Sequence, residues 1–79
     1  MRIVRFKMER ENLVSVGEKV SITEGVLPSS FYYTIEPAVA MSANYAYFER
    51  VISTEGIVKS IEETPRGFFV DVEFDEEEK

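Results

Sequence analysis

The residues in this chain with the capacity for chemistry are its carboxylates, Glu62-Glu63 and the run Asp75-Glu76-Glu77-Glu78. Paired carboxylates perform acid–base chemistry when burial drives their pKa values apart. These pairs fall beside a Pro/Gly turn and in a terminal run, where the expectation is solvated side chains with ordinary titration. Histidine and cysteine are both absent. That removes the commonest general base, the thiol nucleophile, disulfides and the ligands of structural zinc. Lys19 and Lys59 have no recognisable catalytic partner in sequence. The acidic run supplies oxygen donors for Ca²⁺ or Mg²⁺, yet contiguous residues do not let the backbone wrap an ion. The four glycines, at 17, 25, 56 and 67, form no phosphate-binding or dinucleotide-binding spacing. The sequence therefore predicts no enzyme, no cofactor and no metal.

A second kind of chemistry is recognition by rings and charge. Phe31, Tyr32, Tyr33, Tyr45, Tyr47 and Phe48 concentrate six of the ten aromatic residues in less than a quarter of the chain. Tyrosine suits surfaces that are apolar at one end and wet at the other. These six are the candidate interaction surface, and they predict a contact with another protein or with a second copy, a homodimer being the commonest closed assembly. The alternative is a single-stranded nucleic-acid binder that stacks bases on these rings and on Phe69, with Arg5 and Lys7, in a basic stripe with Arg2 and Arg10, holding phosphates. Fifteen acidic against nine basic residues weigh against it, because phosphate binding draws its affinity from positive potential. The expected use of Arg5 and Lys7 is pairing with Asp71 and Glu73 on a neighbouring strand.

The elements that must position these residues are short strands. Phe68, Val70, Val72 and Phe74 alternate with Phe69, Asp71 and Glu73, which places the first set in a core. Gly56 to Ile61 forms the other arm of a hairpin turned at Thr64-Pro65-Arg66-Gly67. Val58 and Ile61 stand three apart, so one extra residue near Lys59-Ser60, a β-bulge, restores the phase. Pro65 suits the first central position of a type I turn, and Gly67 a left-handed closing position. Upstream, Arg2 to Met8 alternates with Val4, Phe6 and Met8 inward and a basic outer face. Leu13 to Val16 leads to Lys19–Thr23, with Val20 and Ile22 inward, and Phe31 to Ile35 is rich in aromatic and β-branched residues.

Between Glu36 and Thr54 two periodicities compete. Pro37 and the alanines at 38, 40, 43 and 46 favour a helix, and Ala38, Met41, Tyr45, Phe48 and Ile52 share one helical stripe. The later residues are poorer helix formers, so the expectation is a short helix from Pro37 to about Asn44, then a strand from about Tyr47 to Thr54.

The sum is a mainly β chain: a small, partly closed barrel of about five strands with one inserted helix, residues 1–74, and an acidic disordered tail, 75–79. The segments Gly17-Glu18-Lys19-Val20-Ser21-Ile22 and Gly56-Ile57-Val58-Lys59-Ser60-Ile61 resemble SH3-like barrels at the level of fold, with an OB-like barrel the near alternative. Neither of the longest uncharged runs, 25–35 and 37–48, reaches the roughly 20 residues that span a bilayer, so a cytoplasmic, membrane-free protein is expected.

Overall fold

The computed structural model describes residues 1–37 and 39–78. Six antiparallel strands close into a barrel in the order β1-β4-β3-β2-β5-β6, with β6 returning to β1. They are β1 (Arg2–Met8), β2 (Lys19–Val26), β3 (Phe31–Ile35), β4 (Ala40–Ser42), β5 (Glu55–Thr64) and β6 (Gly67–Phe74). No helix of the described residues is long and apolar enough to cross a membrane.

The period-two pattern produces the core. Val4, Phe6 and Met8 of β1, Val20 and Ile22 of β2, Val58 of β5, and Val70, Val72 and Phe74 of β6 are all buried together. Phe68, expected there too, packs on the core half-buried. The hairpin follows its sequence closely. Thr64 pairs with Gly67 across Pro65-Arg66, and the register slips between Val58 and Ser60, so Lys59 is the extra residue. Gly67 has φ of 127°, in the left-handed region that disfavours a Cβ. At Gly56 an added Cβ would stand 2.6 Å from Val72 Cγ1 and 2.8 Å from the Glu73 carbonyl oxygen, so the glycine permits close packing of β5 on β6.

The sequence pattern predicts a partly closed barrel of about five strands; the small β-barrel is present, closed and with six, and three further expectations need correction. The expected helix from Pro37 to about Asn44 is absent among its described residues: a turn leads to β4, which pairs Ala40 with Ile35 and Met41 with both Thr34 and Lys7. Barrel closure supplies that short segment with backbone partners on both sides, which outweighs alanine's weak helix preference. Ala38, part of the expected helix and its stripe, lies outside the described residues. The expected strand from Tyr47 to Thr54 is instead a single 3-10 turn, Tyr47–Glu49, followed by irregular backbone. Finally, Arg2 belongs to the inner face of β1 rather than the basic outer stripe: it has the even parity of Val4, Phe6 and Met8 and is only 3% exposed.

Candidate functional site

β4 is so short that it pairs with β1 only at Phe6 and Lys7. The N-terminal half of β1 lacks that neighbour, and residues 45–53 run as a strap beside it. Because the strap has no complete ladder, side chains satisfy its backbone. Its start is pinned to β3, where Phe31 and Tyr45 exchange backbone hydrogen bonds of 2.9 and 2.7 Å. The Arg2 guanidinium donates to the carbonyl oxygens of Glu49 at 2.6 Å and Arg50 at 3.0 Å. Val51 drops into the core, and its N–H donates to the Tyr33 hydroxyl at 2.8 Å. The Glu76 carboxylate accepts from the Ile52 N–H (3.0 Å), the Ser53 N–H (2.8 Å) and the Ser53 hydroxyl (2.8 Å). Its other oxygen is 3.2 Å from Arg2. Within the strap, Glu49 closes the 3-10 turn by accepting from the Ala46 N–H.

Two charge networks brace this framework. In the first, Arg2 and Glu76 form an ion pair whose side chains are 4% and 11% exposed. Burial pushes the Glu76 carboxyl up, but the Ser53 N–H and hydroxyl, Arg2 and the Ile52 N–H together hold it below the usual carboxylate range. In the second, Arg50 meets Glu24 through two bonds of 3.0 and 2.8 Å, and the Tyr33 hydroxyl donates to the same carboxylate at 2.8 Å. Arg50's hydrogen bonds hold Glu24 low. Tyr33 is pushed up, first by burial and then by its bond to Glu24. Arg50 also lies over the rings of Phe31 and Tyr47, 4.6 and 5.6 Å from their centroids, a geometry worth roughly 0.5–1 kcal/mol at exposed sites.

The strap thus displays side chains on a fixed backbone. Tyr47 is 73% exposed, Phe48 77% and Ile52 67%, three large apolar groups presented outward within six positions. Of the six aromatic candidates, the structure gathers Phe31, Tyr33, Tyr45 and Tyr47 into ring contacts of 6.1–6.2 Å, with Phe48 adjoining Tyr47 in sequence. Tyr33 is the buried foundation, while Phe31 and Tyr45 are half-buried. Tyr32 stands apart on the outer wall, its ring lying over Gly25.

The two basic candidates for nucleic acid do not join this surface. Arg5 donates to Asp71 and Glu62, each at 3.0 Å, and lies over Phe69. Its pairing with Asp71 is the one the alternation predicts, and it holds Asp71 below the usual range. Lys7, expected to meet Glu73, instead stands opposite Phe69 and approaches Glu9 at 3.7 Å, while Glu73 approaches Lys59. Antiparallel register is the reason: moving from Arg5 to Lys7 along β1 moves from Asp71 towards Phe69 on β6. Lys7 borders an open groove of about 670 Å³ with Arg10 and Met41, at the far end of β1 from Arg2.

Sequence reasoning missed Arg2, Glu24, Arg50, Ile52 and Glu76. Parity alone identifies Arg2, since an arginine in phase with Val4, Phe6 and Met8 must reach a buried acceptor. Glu76, expected to share the solvated state of the terminal run, is seated against Ser53 instead. Glu78 also bonds, accepting from the Ile3 N–H at 3.0 Å; Lys79 lies outside the described residues. Searches against protein-family models, curated proteins and solved structures each gave no match to the chain.

Proposed function

We propose that this chain is a non-catalytic β-barrel docking module that holds a protein partner on the exposed side chains of Tyr47, Phe48 and Ile52. The observation that carries the reading is the exposure of two consecutive rings on a backbone fixed from three directions, by Arg2, Tyr33 and Glu76. Full burial of each of these side chains is worth roughly 1.5–3 kcal/mol, and aromatic anchors dominate the energetics of many interfaces. A strap ordered before contact lowers its own share of the ordering cost of binding, about 0.5–1.5 kcal/mol per immobilised side chain. Carboxylate chemistry supports the non-catalytic part. The two most tightly held carboxylates near the strap, Glu24 and Glu76, are both driven downward in pKa, away from the neutral range in which a general acid or base works best.

The test is site-directed photocrosslinking in the cells that naturally make the protein. A benzophenone amino acid at position 48 should give a discrete protein adduct that disappears when Tyr47→Ser is added. The same group at the exposed turn residue Arg66 should give none. Identical adducts from both positions, or none from position 48, would refute the docking surface. An adduct of twice the chain mass would identify a second copy as the partner.

A further inference from the structure

We infer that the partner docked on the strap is a positively charged segment with an apolar anchor, an extension that rests on the docking reading above. The cation lying over Tyr47 is balanced within the chain, whereas three carboxylates, near it in sequence or just beyond the Glu76 seat, are not. Both arginines near the strap are already committed to acceptors within the chain: Arg2 to Glu76 and two carbonyl oxygens, Arg50 to both oxygens of Glu24. Glu49 follows Phe48 directly in sequence. Glu77 and Glu78 follow the residue that caps Ile52 and Ser53. Among the described residues, none of these three carboxylates forms an ion pair. Glu49 and Glu78 do accept single backbone N–H bonds, which leave their charge in place.

The exposed rings are therefore followed in sequence by one carboxylate without an ion pair, and the residue that seats Ile52 and Ser53 by two more, on a chain of net charge −6. A phosphate backbone is repelled by such charge. A second copy meets the same obstacle, since a two-fold contact through identical patches brings two like-charged surfaces together. A segment with a leucine or aromatic residue flanked by lysine or arginine satisfies both features. Its apolar residue covers Tyr47, Phe48 and Ile52, and its cations lie towards the three carboxylates.

Display of random peptides of about 12 residues against the full chain tests this while the natural partner is still unidentified. Three baits are used in parallel: the original chain, Tyr47→Ser with Phe48→Ser, and Glu49→Gln with Glu77→Gln and Glu78→Gln, each checked for folding by circular dichroism. Enriched peptides should be net positive with one large apolar residue, and should lose more than about tenfold in affinity on the double-serine bait. On the triple-glutamine bait they should weaken roughly three- to tenfold at about 0.05 M salt, and that difference should shrink near 0.5 M as screening sets in. Neutral or acidic peptides that still require Tyr47 and Phe48 would overturn the charge inference and leave the docking surface standing. Peptides that bind the original and double-serine baits equally, or no enrichment at all, would overturn both. A concentration-dependent mass in light scattering, lost in Tyr47→Glu, would make the occupant a second copy and likewise overturn the basic partner.

Discussion

Replacing Glu76 by alanine tests whether the strap is held by side chains. The substitution removes four acceptor contacts at once: the Arg2 ion pair at 3.2 Å and three bonds from Ile52 and Ser53. Breaking a buried ion pair by deleting one partner costs about 3–5 kcal/mol. Here Arg2 keeps the carbonyl oxygens of Glu49 and Arg50, and water can reach the exposed Ile52 N–H, so the expected loss is about 2–3 kcal/mol. That is a large share of the roughly 4–12 kcal/mol expected for a domain of this size. Glu77→Ala, which removes no such contact, should stay within about 0.5 kcal/mol. Urea unfolding at constant m-value measures both, and amide exchange at residues 49–53 should accelerate in Glu76→Ala ahead of the barrel strands. The pH dependence has a definite sign. Glu76 titrates lower in the folded chain than its unfolded value near 4.3. Its contribution is therefore complete above that value and lost as pH falls through the lowered folded pKa. The gap between the original and Glu76→Ala should be constant at neutral pH and close in acid below about pH 4. Equal stability of Glu76→Ala and Glu77→Ala, or a gap unchanged in acid, would refute the reasoning.

Tyr33→Phe should cost about 1–2 kcal/mol in the same urea assay, because it leaves the buried Val51 N–H without its acceptor; a neutral result would mean that the strap is not anchored there. Gly56→Ala should cost about 1–3 kcal/mol, since its Cβ meets Val72 and the Glu73 backbone. Gly25→Ala should cost less than about 1 kcal/mol, as only the ring of Tyr32 must move; the reverse order would contradict the packing. Val70→Asp should unfold the domain by circular dichroism, because it places a charge in the core. Glu73→Lys on the outer face should change stability by no more than about 0.5 kcal/mol, and comparable damage at both positions would place β6 in the wrong register.

How much of this is legible in the sequence depends on what sets each element. β1, β3 and the β5–β6 hairpin with its bulge at Lys59 are readable, because period two and the phase between Val58 and Ile61 are local properties of the chain. The pairing of Arg5 with Asp71 follows from charge and strand adjacency. β2 runs on through Glu24 and Gly25 to Val26, beyond the expected stop, because β3 pairs with those residues and Tyr32 covers the glycine. β4 and the strap are not readable. Their conformation is imposed by barrel closure and by contacts from Arg2, Tyr33 and Glu76, which lie far away in sequence. The aromatic segment is recognisable as a surface, but its division into foundation (Tyr33), supports (Phe31, Tyr45) and display (Tyr47, Phe48) depends on which strand each ring meets.

The location of the proposed docking surface also follows from the gap left in the ladder beyond the short β4. A strand sends successive side chains to opposite faces, so strand pairing of residues 47 and 48 would turn one ring inward. β4 stops at Ser42, and the strap beyond it is held by a guanidinium, a phenol and a carboxylate instead of by a full set of strand hydrogen bonds. Freed from alternation, the 3-10 turn can present two consecutive rings to solvent while Val51, three positions on from Phe48, still plugs the core. The same substitution of side-chain bonds for backbone bonds makes the platform depend on Glu76, a residue with no part in the exposed surface. Glu76→Ala should therefore weaken docking of any partner that needs Tyr47 and Phe48 together, through loss of their common orientation and without changing either ring. The affinity of a peptide selected on the original chain, measured at a temperature where Glu76→Ala remains folded, checks this: unchanged affinity with an accelerated strap would mean that the partner does not read the fixed pose.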